Sequence, residues 1–154
     1  MKRLTLPLLA LMLSTAAGAD HTLTNLKDFR SVCVNTFVEI KGKEDENLRQ
    51  EIYESIVEQL EDAGITVAQS PCQSKSGAAS RQLNLLFSFS TTPNALAYLG
   101  TLEGWIPKEG KFLEPTIWTD HYYGITGKDK LSTLSADSAS EMVDSFIEDW
   151  DEAH

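Results

Sequence analysis

The sequence predicts an α+β domain in which two amphipathic helices pack on one face of a mainly antiparallel, four- to five-stranded sheet. Some segments alternate apolar and polar residues with the period of two that is typical of strands, and two segments repeat apolar residues every three or four positions, as helices do. The order of these segments is strand, helix, four strands and helix, which favours a two-layer sandwich. Because no repeat or linker divides the chain, we expect one domain over residues 20–154.

The first strand and the first helix have clear patterns. Residues 31–40 carry valines on one face of an alternating segment, so they are predicted to form a strand. Apolar residues then recur every four positions from Leu48 to Leu60, with glutamates between them. Asp45 is expected to cap this helix and Gly64 to end it in the left-handed conformation. An extended segment at residues 65–67 and a polar loop at residues 71–81 follow.

The second half of the chain predicts three strands and a closing helix. The strands cover residues 82–90, 95–106 and 112–123, with turns at residues 91–94 and 107–110. Pro115 suggests that the last strand lies at an edge or carries a bulge. After a loop at residues 124–135, Ser138 and Glu141 match a capping box. The apolar stripe of the closing helix is formed by Met142, Val143, Phe146, Ile147 and Trp150.

The N-terminus has the three-part pattern of a secretory signal peptide. Lys2 and Arg3 form a basic head, an apolar run covers residues 4–13, and small residues lead to Ala19. We therefore expect residues 1–19 to be removed before Asp20, and the protein to be exported to the periplasm or the extracellular space. The apolar run is too short to span a bilayer, and no other stretch is long enough, so no integral membrane segment is expected after cleavage.

The charge of the chain excludes one class of partner. There are 13 Lys and Arg residues against 23 Asp and Glu residues, for a formal net charge of -10. Proteins that bind nucleic acid by neutralising phosphates need a basic face, so we expect no nucleic-acid partner. The same charge disfavours docking on anionic lipid.

The two cysteines, Cys33 and Cys72, are predicted to form a disulfide, because paired cysteines oxidise in extracytoplasmic compartments. Two buried thiols or an intermolecular bridge are the alternatives. A parallel strand–helix–strand unit in ordinary register would hold the two residues about 20 Å apart, too far for a disulfide. The bridge therefore requires either an antiparallel relation between residues 31–40 and 65–67, or a chain that folds back at Ser70 and Pro71.

Motifs for catalysis and metal binding are weak. Asp120 and His121 are neighbours on a predicted strand, so their side chains point to opposite faces and do not form a dyad. No nucleophile elbow or zinc-binding histidine pair occurs in the sequence. The acidic residues of the closing helix are those of a solvated face. We therefore expect a protein that is not an enzyme, with no cofactor and no metal.

The pairing of the last three strands predicts which sheet face is free. In the simplest register, the core face carries Leu83, Leu85, Phe87, Phe89, Ala95, Ala97, Leu99, Trp105, Leu113 and Ile117. The opposite side, called here the aromatic sheet face, carries Tyr98, Leu102, Ile106, Phe112, Trp118 and Tyr122, with Trp118 over Gly100. Clustered aromatic residues on a soluble protein mark a contact surface, unless residues 20–30 or 71–81 fold over them. A register slip of one residue would exchange the two faces.

From these observations we expect an exported, non-enzymatic protein that binds a protein partner, or assembles as a homo-oligomer, through the aromatic sheet face. The alternative is a small-ligand-binding protein or hydrolase with a pocket near Trp118, His121 and Tyr123.

Overall fold

The computed structural model describes residues 25–69, 72, 81–106, 116–125 and 130–154, and the structural statements below concern these residues. The predicted signal peptide, Phe112, Leu113 and Pro115 lie outside them. The elements are β1 (Ser31–Ile40), β2 (Lys43–Glu44), α1 (Glu46–Asp62), β3 (Gln82–Thr91), β4 (Ala97–Trp105), β5 (Thr116–Ile125) and α2 (Leu131–Ala153).

The predicted fold class is confirmed. The strands form one five-stranded sheet in the order β2-β1-β3-β4-β5, with two helices packed on it. The pair β1–β3 is parallel and the other three pairs are antiparallel, so the sheet is mixed but mostly antiparallel. The parallel pair arises because α1 and the loop after it return the chain to the end of the sheet where β1 began.

Helix α1 forms as predicted. The carboxylate of Asp45 accepts the backbone N–H of Leu48 at 3.2 Å, which satisfies one of the unpaired donors of the first turn. Gly64, with a φ of +79°, adopts the left-handed conformation just beyond the end of the helix. The buried side chains recur every fourth residue and face the sheet; they are Leu48, Ile52, Ile56 and Leu60.

Helix α2 begins at Leu131, eight residues before Ala139, where a helix capped by Ser138 would begin. The Ser138 hydroxyl does not cap a helix; it is buried and donates to the Ser135 carbonyl oxygen at 3.1 Å. The Ser138 hydroxyl is thus satisfied within the helix, and its small side chain can face the sheet. There, a Cβ added to Gly100 of β4 would lie 3.5 Å from Ser138 Oγ and 3.6 Å from Met142 Cε. Small residues on both elements therefore allow α2 to pack close to β4.

The register between β3 and β4 differs from the predicted one. Phe87 lies opposite Leu102, and Phe89 lies opposite Gly100. The even-numbered residues of β4 therefore share the face of the core phenylalanines, and the assignment of Leu99 to that face was wrong.

The loop between β3 and β4 explains the difference. Thr92 donates its backbone N–H to the Ala97 carbonyl oxygen at 3.0 Å, so four residues, 93–96, close the hairpin. The Thr92 hydroxyl accepts the N–H groups of Leu96 and Ala97, and Ala95 takes a positive φ of 57°. Since side chains alternate along a strand, one more or one fewer loop residue would reverse the faces.

The disulfide Cys33–Cys72 is present, with a Cα–Cα distance of 5.5 Å, and Cys33 is fully buried. Val67 forms a parallel bridge with Val32, so the antiparallel alternative for residues 65–67 is wrong. An extended continuation over the five residues from Val67 to Cys72 would run about 16 Å along β1. Cys72 instead lies beside Cys33, which is the position that the second alternative requires; Ser70 and Pro71 themselves lie outside the described residues.

Candidate interaction surface

The aromatic sheet face lies under the helices and is part of the core. Leu102 and Trp118 are buried, and Tyr98 and Ile106 are partly buried against the core cluster. Tyr122, at the edge, is 37% exposed. The expectation of an exposed cluster was therefore wrong for Tyr98, Leu102, Ile106 and Trp118, because the β3–β4 register places them on the helix side. Tyr122 remains exposed, and Phe112 lies outside the described residues.

Trp118 attaches β5 to α2. Its indole N–H donates to Asp149 Oδ2 at 2.7 Å, and its ring meets Phe146 edge-on, with the ring centroids 5.1 Å apart. Gly104, and not Gly100, lies opposite Trp118, and a Cβ added to Gly104 would lie 3.3 Å from Trp118 Cβ. The hydrogen bond satisfies the polar edge of a ring that is otherwise buried. Trp118 is thus a core residue between β4 and α2.

The segment before β1 also joins the core. Leu26 and Phe29 are buried in the same cluster as the sheet residues. Asn25 donates from Nδ2 to the Ile117 carbonyl oxygen of β5 at 3.3 Å, and His154 at the end of α2 contacts the Phe29 carbonyl oxygen through Nε2 at 2.9 Å. Part of the 20–30 segment therefore packs against β5 and α2.

Tyr122 and Tyr98 mark the outer border of the helix-covered face. The pKa of Tyr122 is raised to about 12. The largest cause is a hydrogen bond to the Glu141 carboxylate of α2, and the next is burial. The Tyr98 ring stacks on Phe89 with centroids 5.8 Å apart. A Cβ added to Gly124 would lie only 3.0 Å from Tyr98 Oη, so the space above Gly124 holds the Tyr98 ring.

Among the described residues, Trp118, His121 and Tyr123 do not line one pocket, because Trp118 lies on the opposite face of β5 from the other two. Trp118 is buried under α2, whereas His121 and Tyr123 stack on each other across the other face, with centroids 5.9 Å apart. Asp120 Oδ1 accepts the backbone N–H of His121 at 2.7 Å. The Asp120 carboxylate therefore binds the main chain of the edge strand and does not orient the imidazole.

Apart from Tyr122, the exposed apolar residues of the described strands lie on the side of the sheet without helices. Leu99, Tyr123 and Ile125 are 46%, 71% and 85% exposed. Leu99 pairs with Tyr123, and Ala97 pairs with Ile125, so the four side chains are cross-strand neighbours. We call this corner, made of Ala97, Leu99, Tyr123 and Ile125, the β4–β5 patch.

Elsewhere on the uncovered face, Phe37 of β1 is 39% exposed, and the centre is polar. Ser88 and Thr101 share a hydrogen bond of 3.0 Å between their hydroxyl oxygens. At the opposite end, Asn84 is 1% exposed and accepts a hydrogen bond from Gln82 Nε2 at 3.0 Å, next to the buried Cys33. The apolar exposure on β4 and β5 is thus concentrated at one corner of this face.

A sequence signal for the correct face exists in β4. Gly100 and Gly104 are four residues apart, so they lie on the same side of the strand. A glycine inside a strand often marks a site where another element approaches the backbone closely. Here both glycines face the helix side, and this pattern would have assigned Leu99 to the uncovered face.

The described ranges contain neither a metal-binding cluster nor a membrane-spanning helix. No group of three or more His, Cys, Asp or Glu residues within them is arranged to hold a metal ion. Neither helix of the described fold has an apolar stretch long enough to cross a membrane.

Comparisons with known proteins give little further information. No protein-family model matches the chain, and no curated protein matches it. The chain is similar to a solved structure described as "Crystal structure of uncharacterized protein", with 13% identity over 80% of this chain and 94% of that chain. The TM-score of 0.39 is too low for this likeness to support any argument about fold or function.

Proposed function

We propose that this chain is an exported, non-enzymatic protein that binds another protein, a second copy of itself included, through the β4–β5 patch. The observation that carries the proposal is the exposure of Leu99, Tyr123 and Ile125 at one corner of a largely polar sheet face. Contiguous apolar groups of this kind on a soluble protein mark contact surfaces. The partner surface is thus on the side of the sheet opposite to the aromatic sheet face.

The energetics favour contact through the face of the patch. Full burial of a large apolar side chain stabilises an interface by about 1.5–3 kcal/mol. Pairing along the free edge of β5 is less favourable, because Asp120 already occupies the backbone N–H of His121. Without Lys2 and Arg3 of the signal peptide, each copy has 11 basic and 23 acidic residues and a formal charge of -12. Two such copies repel one another, but salt at physiological strength screens this repulsion beyond about 8 Å.

Self-association is tested by sedimentation velocity on residues 20–154. We expect the wild-type protein to form dimers, and the double variant Tyr123→Ser/Ile125→Ser to be monomeric. The matched control is Leu96→Ser, because Leu96 is 51% exposed but belongs to the β3–β4 loop and not to the patch. Higher salt should strengthen the dimer, since it screens the repulsion between the acidic copies.

A different partner is tested if the protein is monomeric. A photo-reactive amino acid replaces Tyr123 in cells that export the protein, with the same replacement at Leu96 as control. We expect cross-linked products from position 123 alone. A monomer that gives no cross-link at position 123, or gives the same products at both positions, would contradict the proposal.

Two observations support export. The N-terminal pattern is that of a signal peptide, and the Cys33–Cys72 bridge belongs to the chemistry of oxidising compartments. Intact-mass measurement of the protein from cells is expected to show a chain that begins at Asp20. Retention of residues 1–19 in the accumulated protein would remove the first of these supports.

A further inference from the structure

A second candidate site lies between β1 and α1, away from the β4–β5 patch. It is a cavity of about 270 Å³, and five of its six lining residues are polar. This volume is slightly below the range of pockets that enclose drug-sized molecules, so it suits one side chain and its adjoining main chain. The lining residues are Val34, Asn35, Thr36, Arg49, Gln50 and Tyr53.

The cavity adjoins a short stretch of the β1 edge, called here the open edge, which has no backbone partner among the described residues. At one end, Val32 donates its N–H to the Thr66 carbonyl oxygen at 3.0 Å and accepts the Ala68 N–H at 2.7 Å. At the other end, the Val38 carbonyl oxygen accepts the Asp45 N–H at 2.9 Å. Both ends of this edge are therefore paired.

Between these ends, the edge has backbone groups for an added strand. Because backbone groups alternate between the two sides of a strand, Val34 and Thr36 direct their N–H and C=O groups to the same edge as Val32. Within the described ranges, no strand pairs with them on this side. Cys72 Sγ lies 3.8 Å from the Val34 carbonyl oxygen and accepts a hydrogen bond from Asn35 Nδ2, so the disulfide borders the stretch.

Arg49 is the one charged residue of the lining, and acidic residues surround it. Arg49 is the single basic residue of α1, and Glu46 neutralises it by accepting hydrogen bonds from both Nε and Nη2. Glu44 of β2 also lies close enough to stabilise the Arg49 charge. Gln50 donates to the Glu54 carboxylate at 2.8 Å, which places a third acidic residue beside the cavity. A basic ligand would therefore be attracted, and an acidic one repelled.

We propose that the open edge of β1 binds a short, extended, basic peptide, which adds a strand along Val34–Thr36 and places one side chain in the cavity. Main-chain pairing supplies the affinity in this mode of recognition, and the cavity supplies the side-chain preference. The β5 edge is less suited to the same mode, because the Asp120 carboxylate occupies one of its donors. The inference goes beyond the proposed function and involves a different surface.

The test uses three blocked hexapeptides and NMR titration of the disulfide-bonded protein, residues 20–154. The first peptide alternates valine and lysine, the second alternates valine and glutamate, and the third is the first with N-methyl groups on alternate residues. We expect the first peptide to shift the amide signals of Val34, Asn35 and Thr36. N-methylation, which removes the donors of an added strand, should weaken binding at least tenfold.

Two variants test the role of the cavity. Gln50→Lys places a positive charge at its wall and should weaken binding of the valine–lysine peptide at least fivefold. Glu61→Gln changes the net charge by the same amount but lies at the far end of α1, and it should leave the affinity within twofold of wild type.

Three outcomes would overturn the proposal. One is the absence of shifts at Val34–Thr36 with millimolar valine–lysine peptide. Another is equal binding of the N-methylated or the valine–glutamate peptide, which would exclude strand addition or the charge preference. The third is equal weakening by Gln50→Lys and Glu61→Gln, which would indicate diffuse attraction to an acidic protein. None of these results depends on the β4–β5 patch, so this inference and the proposed function can fail separately.

Discussion

The two faces of the sheet are built from alternate residues of the same strands, yet they differ in almost every respect. On the helix-covered face, Phe87, Phe89 and Trp118 pack against small residues and α2. On the uncovered face, hydroxyl groups cover the centre, and Leu99 and Tyr123 are exposed at one corner. A period of two in the sequence shows that a strand has an apolar side. When both sides carry aromatic residues, only the register with the neighbouring strand decides which side faces the core. Substitutions can test whether the two faces differ in stability as they do in burial.

The largest expected effect is at Trp118. Trp118→Ala should lower the free energy of unfolding by about 3–5 kcal/mol, because it leaves a cavity between β4 and α2. Tyr123→Ala, on the uncovered face of the same strand, should change it by less than about 0.5 kcal/mol at protein concentrations where the chain is monomeric. Urea denaturation followed by circular dichroism measures both. Similar losses for the two variants would mean that the uncovered face is also packed.

The disulfide tests the buried end of the uncovered face. The double variant Cys33→Ala/Cys72→Ala should lose about 2–4 kcal/mol of unfolding free energy, since the bridge closes a loop over a sequence separation of 39. Urea denaturation of the monomeric Tyr123→Ser/Ile125→Ser background isolates this loss from association. Thiol labelling of the unfolded, non-reduced protein checks the premise, and two reactive thiols per chain would contradict it.

The smallest effect concerns Tyr122 at the border of the covered face. Its pKa is raised to about 12 in the folded chain, above the ordinary value of 10. The folded state thus favours the neutral phenol. The contribution of this phenol to the free energy of unfolding is complete below pH 10 and is lost as the pH rises from 10 towards 12. Wild type should lose its advantage over Tyr122→Phe in this interval, as measured by urea denaturation at pH 8 and pH 11. A constant difference between the two would show that the Glu141 contact does not persist in solution.

Local signals predicted the strand β1, the helix α1 and its ends, because Asp45 and Gly64 act within one turn of the helix. The disulfide was also predictable, since the chain has two cysteines and its N-terminal pattern predicts export. The start of α2 was missed because serine is favoured at helix N-caps but can also lie inside a helix, as Ser135 and Ser138 do here. Their role depends on Gly100 of β4, which is remote in sequence.

The candidate surface was less predictable for a related reason. Its position depends on whether an odd or an even number of residues closes the β3–β4 hairpin, and this depends on the positive φ of Ala95. Alanine gives little indication of that conformation, because left-handed positions usually carry glycine, asparagine or aspartate.

The four-residue loop at 93–96 also limits how this protein can diverge. Surface loops usually accept insertions and deletions of any length, because they do not carry the core. Here a single inserted residue would either turn Tyr98 and Leu102 towards solvent or force a bulge into β4. Relatives of this chain are therefore expected to vary the length of this hairpin in steps of two residues, and a relative with an odd change should carry a compensating bulge in β4.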